Sequence, residues 1–297
     1  MTAVLTPATA DQPPPRPRPL SRTNLVATIT TGYVPLVLAT LVVVLPLVWM
    51  VLASFKTSSE LLTQRLDVLP SSFAPTNYTT AADRVPFGRL FLNSLVVTAV
   101  GSAIKVVLAI MTAYALVFVR FPFKKVVFGL VLATLMVPPQ VSVVPNYVLI
   151  VGLGGANTYW GIILPGLATG FGTFLLRQQF MSLPASIIEA AELDGAGHWR
   201  RMTQIVVPIS TPAIATVALV NIVFEWNEYL WPLVIVTDPD MMTLPVGLTL
   251  LTNSENGADS YGILMAATVM VVLPVLLVFA AFQRYIVAGL TQGAVKD

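Results

Sequence analysis

The side chains best placed to do chemistry in this sequence are three charged residues inside long apolar stretches. Lys105 lies within residues 95–119, and Glu225 and Glu228 lie within residues 209–236. If these stretches cross a bilayer, each charge costs about 2.5–3.5 kcal/mol on insertion scales, so such residues usually face a partner or a wet cavity. Two hypotheses follow for Lys105: an ion pair with Glu225 or Glu228, which we favour, or a contact to an anionic group of a solute.

Two further residues between the glutamates could recognise a solute. Trp226 offers an aromatic ring for stacking and Asn227 an amide for hydrogen bonding, a combination that suits sugars. The alternative for the same stretch is plain helix packing. The candidate solute pathway therefore contains Lys105, Glu225, Trp226, Asn227 and Glu228.

Enzyme chemistry is not indicated. The chain has no cysteine, which excludes disulfides and thiolate metal sites, and its one histidine, His198, argues against a metal site built by the protein. No G-x-x-x-x-G-K-[ST] run is present to cradle phosphates. The net charge of +2 does not suggest nucleic-acid binding. We therefore expect no catalytic residue, metal or cofactor in this chain.

The composition indicates a membrane protein. Of 297 residues, 56% are hydrophobic and 10% are charged, and the mean hydropathy is +0.82. Soluble domains carry roughly 25% charged residues. A spanning helix needs about 20 apolar residues, and the sequence predicts an all-α polytopic fold with six such helices. They are placed at residues 34–53, 95–119, 126–150, 159–176, 209–236 and 263–282.

The ends and loops of the chain predict its orientation. Residues 1–22 are rich in proline and arginine and are typical of a disordered basic tail, which leaves 23–297 as the membrane domain. The apolar run after the tail is too long for a signal peptide, and no cleavage site follows it. With the N-terminus inside, eleven of the 16 Lys and Arg residues fall on the cytoplasmic side, so both ends are expected there.

The loop at residues 181–208, between the fourth and fifth spans, predicts a short helix–turn–helix. Pro184 suits a helix start, and Ile187, Ile188 and Ala191 would share one face of that helix. Asp194 and Gly195 would end it, because glycine accepts the left-handed conformation of a helix end. A second amphipathic helix would follow, with Trp199, Met202 and Ile205 along it, and would run to Pro208.

This loop resembles the signature of permease subunits of binding-protein-dependent ABC importers. Glu189, Ala190, Ala191, Gly195, Ile205 and Pro208 match that pattern, and Val207 stands where leucine is usual. The resemblance extends over most of the chain apart from the tail and points to the carbohydrate-type, maltose-permease-like branch. It is carried by residues 54–57, 93–95, 113–115, 226–229, 283–285 and 293–296.

The resemblance implies a transport subunit and a set of partners. The loop helix of the family sits in a cleft of the ATPase subunit, which implies a coupling role for Glu189, Ala190, Ala191, Asp194, Gly195 and Gly197. The implied partners are a second, similar permease, ATPase subunits that bind ATP and Mg, an extracytoplasmic solute-binding protein, and the lipid of a bacterial-type cell membrane. The outer loop at residues 237–260 is expected to contact the binding protein through Asn253, Ser254 and Glu255.

The solute is left open between sugars, sugar-like solutes and glycerol-phosphate derivatives. A secondary transporter driven by an ion gradient is a further alternative, and it predicts an internal repeat with paired, interrupted helices. No convincing repeat of that kind is found in the sequence.

Overall fold

The computed structural model describes residues 29–61, 67–71, 73, 75–168, 170–252 and 261–291. Every regular element in those ranges is helical. By its contacts the chain forms two units, residues 1–49 and residues 50–297. The predicted tail and the candidates Asn253, Ser254 and Glu255 lie outside the described residues, so the contact expected of these three stays a prediction.

The described helices follow one another closely along the chain. Short 3-10 turns lie at Pro139–Ser142, Leu164–Gly166 and Pro239–Met241, and π-helical turns at Ile29–Tyr33 and Met202–Val206. The α-helices are α1 (Val34–Ala53), α2 (Ser58–Leu61), α3 (Thr76–Arg84), α4 (Phe87–Phe118), α5 (Lys124–Thr134), α6 (Val143–Gly152), α7 (Tyr159–Ile163), α8 (Gly170–Met181), α9 (Ala185–Leu193), α10 (His198–Arg201), α11 (Val207–Ile209), α12 (Thr211–Asn227), α13 (Leu230–Ile235), α14 (Leu244–Thr252) and α15 (Tyr261–Thr291).

Six membrane crossings fit the described helices if each bent helix pair is one span. Three helical stretches are long and apolar enough to cross alone: Thr30–Ala53, Phe87–Phe118 and Tyr261–Gln283. Three further pairs pass this test of length and composition only together: α5 with α6, α7 with α8, and His198–Ile209 with α12. The first helix of the last pair, α10, also belongs to the predicted loop at residues 181–208, so only the later part of that pair would lie within the membrane. The all-α polytopic fold is confirmed, but three of the six predicted spans are interrupted helices.

Prolines and a helix end explain where the predicted spans are interrupted. The span predicted at 126–150 bends by 92° between α5 and α6, because Pro138 adopts an extended conformation before Pro139. The span predicted at 209–236 ends its main helix, α12, at Asn227, and the extended Glu228 separates it from α13. A run of apolar residues fixes the presence of a span but not its straightness.

The unit at residues 50–297 is organised around α4, which packs against α8 and α12, while α12 also packs against α15. Three clusters of buried apolar side chains fill the contacts between these helices. One of them, the inner cluster, joins the C-terminal half of α4 to the helix–turn–helix. It contains Ala109, Ala113, Tyr114, Leu176, Phe180, Met202, Val206 and Val217.

The unit at residues 1–49 presents apolar side chains outward. All residues of α1 from Val34 to Val48 are exposed, and most are large and apolar. Water would be a poor solvent for such a surface. In a lipid bilayer these apolar side chains would contact acyl chains instead of water, which avoids the unfavourable hydration of apolar surface.

Candidate functional site

The loop between α8 and α12 folds into the predicted helix–turn–helix, in which α9 and α10 are the two helices. Pro184 lies just before the first helical residue, and its φ of −58° suits a helix start. Gly195 has a φ of +72°, the left-handed conformation that favours glycine. Gly195 N–H donates to Glu192 O at 3.0 Å and Ala196 N–H to Ala191 O at 2.9 Å. This pair of bonds is a Schellman motif, which satisfies two of the last carbonyls of α9.

The faces of the two loop helices agree only in part with the predicted ones. Ile188 packs against the inner cluster and Ala191 is buried, but Ile187 is exposed. In the second helix Met202 is buried, whereas Trp199 is 68% exposed. A π-helical turn begins at Met202 and shifts the helical register, so Val206 joins Met202 in the inner cluster.

A polar chain fixes the loop to α4. Glu192 in α9 forms an ion pair with Arg201 in α10, and Arg201 is buried. Arg201 Nη2 lies 3.2 Å from His198 Nδ1, which in turn lies 3.3 Å from the hydroxyl of Tyr114 in α4. Since the guanidinium can only donate, Nδ1 is the acceptor for Arg201.

The connection between loop and membrane helices is apolar as well as polar. Tyr114 is buried in the inner cluster beside Phe180 of α8, and Met202 and Val206 join the same cluster from the loop side. Protein interiors are densely packed and transmit displacement. A movement of the α9–α10 turn would therefore reach α4, α8 and α12 together.

Lys105 and Glu225 form the intramembrane ion pair that the sequence predicts. The two side chains are only 14% and 13% exposed. Glycines leave room for both: a Cβ on Gly101 would lie 3.0 Å from Glu225 Oε2, and one on Gly166 would lie 3.4 Å from Lys105 Nζ. The pair thus joins α4 to α12 beside the Leu164–Gly166 turn.

Polar atoms without partners lie on the same two helices. Thr98 and Ser102 share one face of α4 with Lys105, at positions i, i+4 and i+7, and Asn221 lies one turn before Glu225 on α12. Thr98 Oγ1, Ser102 Oγ and Asn221 Nδ2 are buried and have no hydrogen-bond partner in the described part of the chain. Buried polar groups usually find a partner, and the sequence analysis did not identify these three.

The remaining pathway candidates make other contacts. Trp226 is buried and its Nε1–H donates to Val271 O in α15 at 3.1 Å. Its contacts therefore agree with helix packing, the alternative to solute recognition. Asn227 is exposed and its amide donates to Val223 O at 2.7 Å. Glu228, beyond the end of α12, accepts from the backbone N–H of Trp231 at 3.3 Å. Only Glu225 meets Lys105, and a solute contact by the other three stays a prediction.

The N-terminal end of α4 holds the loop before α14. Asn93 Nδ2 donates to Asp240 O at 2.8 Å and Met242 O at 2.9 Å, and its Oδ1 accepts from the Tyr159 hydroxyl at 2.7 Å. Ser94 Oγ accepts from the backbone N–H of Leu244 at 2.8 Å. These bonds give Asn93 and Ser94, which belong to a stretch that resembles the family, a structural role: they position the loop before α14.

The fold and these sites define a polytopic helical membrane protein with a helix–turn–helix anchored to its spans and an ion pair within them. Comparison with protein families shows which family of membrane proteins this chain belongs to. The model of the binding-protein-dependent transport system inner membrane component family matches residues 105–292. The chain belongs to this family and is a permease of a binding-protein-dependent ABC importer.

Individual relatives match nearly the whole chain. The sn-glycerol-3-phosphate transport system permease protein UgpE of Brucella suis is 34% identical over 268 residues, 88% of this chain and 95% of its own length. The diacetylchitobiose uptake system permease protein NgcG of Streptomyces coelicolor is 35% identical over 263 residues, 88% of this chain and 87% of its own.

A solved structure shares the fold over a similar length. A chain of a bacterial ABC transporter that imports the acidic polysaccharide alginate superposes with a TM-score of 0.76 at 25% identity, covering 89% of this chain and 98% of its own. Membership of an ABC importer family favours an ATP-driven transport subunit over an ion-driven transporter or an enzyme.

Proposed function

We propose that this chain forms one half of the translocation pathway of an ATP-driven importer for sugars or sugar-like solutes. A second, similar permease completes the pathway, and ATPase subunits dock on the α9–α10 loop. An extracytoplasmic binding protein delivers the solute at the outer face. The observation that carries the proposal is the Gly195 turn, which is anchored to α4 on one side and exposed on the other.

The exposed side of the turn has the character of a docking surface. Leu193 and Trp199 flank the turn and are 90% and 68% exposed. Tryptophan is enriched among the residues that dominate protein interfaces. Glu189, Ala190, Asp194 and Gly197 are exposed as well. An ATPase cleft that closes on this surface would push on α4 through Arg201, His198 and Tyr114.

The nucleotide belongs to the partner in this proposal. The chain offers no phosphate-binding loop of the G-x-x-x-x-G-K-[ST] type, so the ATPase subunits bind ATP and Mg. The distribution of Lys and Arg supports a cytoplasmic position for the α9–α10 loop and for both termini.

The solute class rests on the relatives and on Lys105. The relatives are named for glycerol 3-phosphate and diacetylchitobiose, and the structural neighbour imports alginate. A phosphate-bearing solute would need a free cation along its path. Lys105 is already neutralised by Glu225, which favours a sugar over a phosphate ester at this point.

Gly195→Asp tests the coupling role. The aspartate would strain a backbone with φ of +72° and add charge to the docking surface. We expect normal insertion but loss of solute-stimulated ATP hydrolysis and of transport in the reconstituted importer. Gln178→Glu adds the same charge at an exposed position of α8 outside the loop and should behave as wild type. Wild-type transport by Gly195→Asp would refute the coupling assignment.

A further inference from the structure

A basic cleft lies where the inner ends of three membrane helices meet. It has a volume of about 310 Å³ and is lined by Lys124 and Lys125 of α5, Arg177 of α8, and the apolar side chains of Leu116, Val117, Phe128 and Met181. All three cations belong to the set that the positive-inside rule assigns to the cytoplasmic side. The cleft is separate from the α9–α10 turn and from the Lys105–Glu225 pair.

Lys124 is held at a defined place in the cleft. Its Nζ donates to Val117 O at 2.8 Å and to Val119 O at 3.1 Å, at the C-terminal end of α4. Cations are stabilised at this end of a helix by its dipole. An ammonium has three donors, so one N–H of Lys124 remains available to a ligand.

Arg177 brings a second charge to the same place. Its guanidinium carbon lies 3.9 Å from the centre of the Phe128 ring, a cation–π contact that fixes the group. Its Nε is buried and has no hydrogen-bond partner among the described residues. The guanidinium lines the same cleft as the Lys124 and Lys125 ammonium groups, so three like charges share one small space.

No carboxylate of the described residues pairs with this cluster. The two ion pairs found there are Lys105 with Glu225 and Arg201 with Glu192. The 11-residue helix α5 begins at Lys124, after Phe123, and no side chain caps its first N–H groups. The helix start therefore adds partial positive charge to that of the three side chains. A buried N–H without a partner and three cations in one cleft both favour an anion with several acceptor oxygens.

We infer that this cleft binds a phosphate group, and that the phosphate is the headgroup of an anionic membrane lipid. A phosphate diester carries one negative charge and acceptor oxygens enough for Lys125, Arg177 and the free N–H of Lys124. Basic pockets between membrane helices on the cytoplasmic side suit anionic lipid headgroups. The apolar walls from Val117 and Met181, which are not buried, favour a lipid over free phosphate, because acyl chains can cover them.

Lysine protection in nanodiscs tests the site. The complete importer would be placed in nanodiscs of phosphatidylcholine alone or of phosphatidylcholine with added phosphatidylglycerol. Mass spectrometry would then measure the rate at which Lys125 is acetylated. Phosphatidylglycerol should slow the acetylation of Lys125 in the wild type. In Arg177→Gln, the amount of phosphatidylglycerol that gives half of the maximal protection should rise about tenfold, because one charge-assisted hydrogen bond is lost. Arg120→Gln removes an exposed charge of the same loop outside the cleft and should leave protection unchanged.

Further arms separate the sources of the anion. Inorganic phosphate in phosphatidylcholine nanodiscs should give no protection; protection equal to that by phosphatidylglycerol would overturn the lipid source and assign the cleft to free phosphate. Full protection in phosphatidylcholine alone would mean that a partner subunit covers the cleft and would overturn the proposal. If Arg177→Gln fails to assemble, native mass spectrometry of Lys125→Gln, an exposed position, should show fewer retained phosphatidylglycerol molecules than wild type. Equal retention would also overturn it.

Discussion

At the scale of single residues, the cost of a charge in a bilayer explains the pairing of Lys105. The ammonium and the Glu225 carboxylate are both largely buried, and each neutralises the other. Gly101 matters because a larger residue there would crowd the Glu225 carboxylate, whereas a Cβ at Gly166 would only touch the Lys105 ammonium. Breaking such a pair by removing one partner is costly because it leaves the other charge buried and alone.

Lys105→Met should therefore destabilise the chain. Loss of one partner of a buried ion pair costs about 3–5 kcal/mol, so we expect low membrane yield or a clearly lower melting temperature in detergent. The double variant Lys105→Met, Glu225→Gln removes both charges and should recover part of that loss. Glu228→Gln alters an exposed carboxylate outside the pair and should leave the membrane yield and the melting temperature unchanged. Full stability and transport of Lys105→Met would show that the ion pair has no role.

The sequence predicted that Lys105 needs a carboxylate but could not choose between Glu225 and Glu228. In one continuous helix these two residues, three apart, would lie on the same face. The structure separates them because α12 ends at Asn227 and Glu228 is extended. Trp226 could not be assigned from sequence either, since its partner Val271 is 45 residues away on α15.

At the scale of elements, the α9–α10 loop is held by a chain of contacts rather than by one bond. Glu192 joins Arg201 across the turn, and Arg201 and Tyr114 both meet His198. Such a linkage lets two short helices move as a single body with the inner end of α4. Short helices are marginally stable alone, so this anchoring also supplies much of their order.

Arg201→Gln should loosen this linkage. It removes the ion pair with Glu192, whose side chain is 57% exposed, so we expect a loss of stability of only about 1–2 kcal/mol. The larger effect should be on coupling: basal ATP hydrolysis stays while stimulation by the loaded binding protein falls. The neighbouring Arg200→Gln removes an exposed charge bonded only to Gln204 in the described residues and serves as the control. Equal stimulation in both variants would contradict a mechanical role for Arg201.

The helix–turn–helix was predictable because its signals are local. Pro184 and Gly195 mark the start and the end of α9 through their own backbone preferences. The anchor at Tyr114 was not predictable, because it lies 84 residues from His198. The bend between α5 and α6 was missed for a different reason: proline is tolerated within membrane helices, so Pro138 and Pro139 alone did not require a break.

At the scale of the whole molecule, two groups of side chains lack the surroundings that suit them. Apolar side chains are exposed along α1 and on the outer faces of α4 and α15, and a bilayer is the solvent that suits them. Thr98, Ser102 and Asn221 leave buried polar atoms unpaired within the described chain. Because these atoms are buried within this chain, a solute path between two permeases would reach them only if the packing around α4 and α12 opened.

Cysteine labelling tests the arrangement of the whole chain across the membrane. The protein has no cysteine of its own, so single introduced cysteines report their own side. Leu193→Cys, at a 90% exposed position beside the turn, should react with a membrane-impermeant maleimide only from the cytoplasm. Asp83→Cys, exposed at the end of α3, and Asn253→Cys, in the predicted outer loop, should react only from outside. This pattern follows from six crossings with both ends cytoplasmic. An even number of crossings separates Leu193 from each terminus, so it should lie in the cytoplasm. An odd number separates it from residues 83 and 253, so these should lie outside. Labelling of Leu193→Cys and Asn253→Cys from the same side would remove one crossing between them and overturn the six-span arrangement.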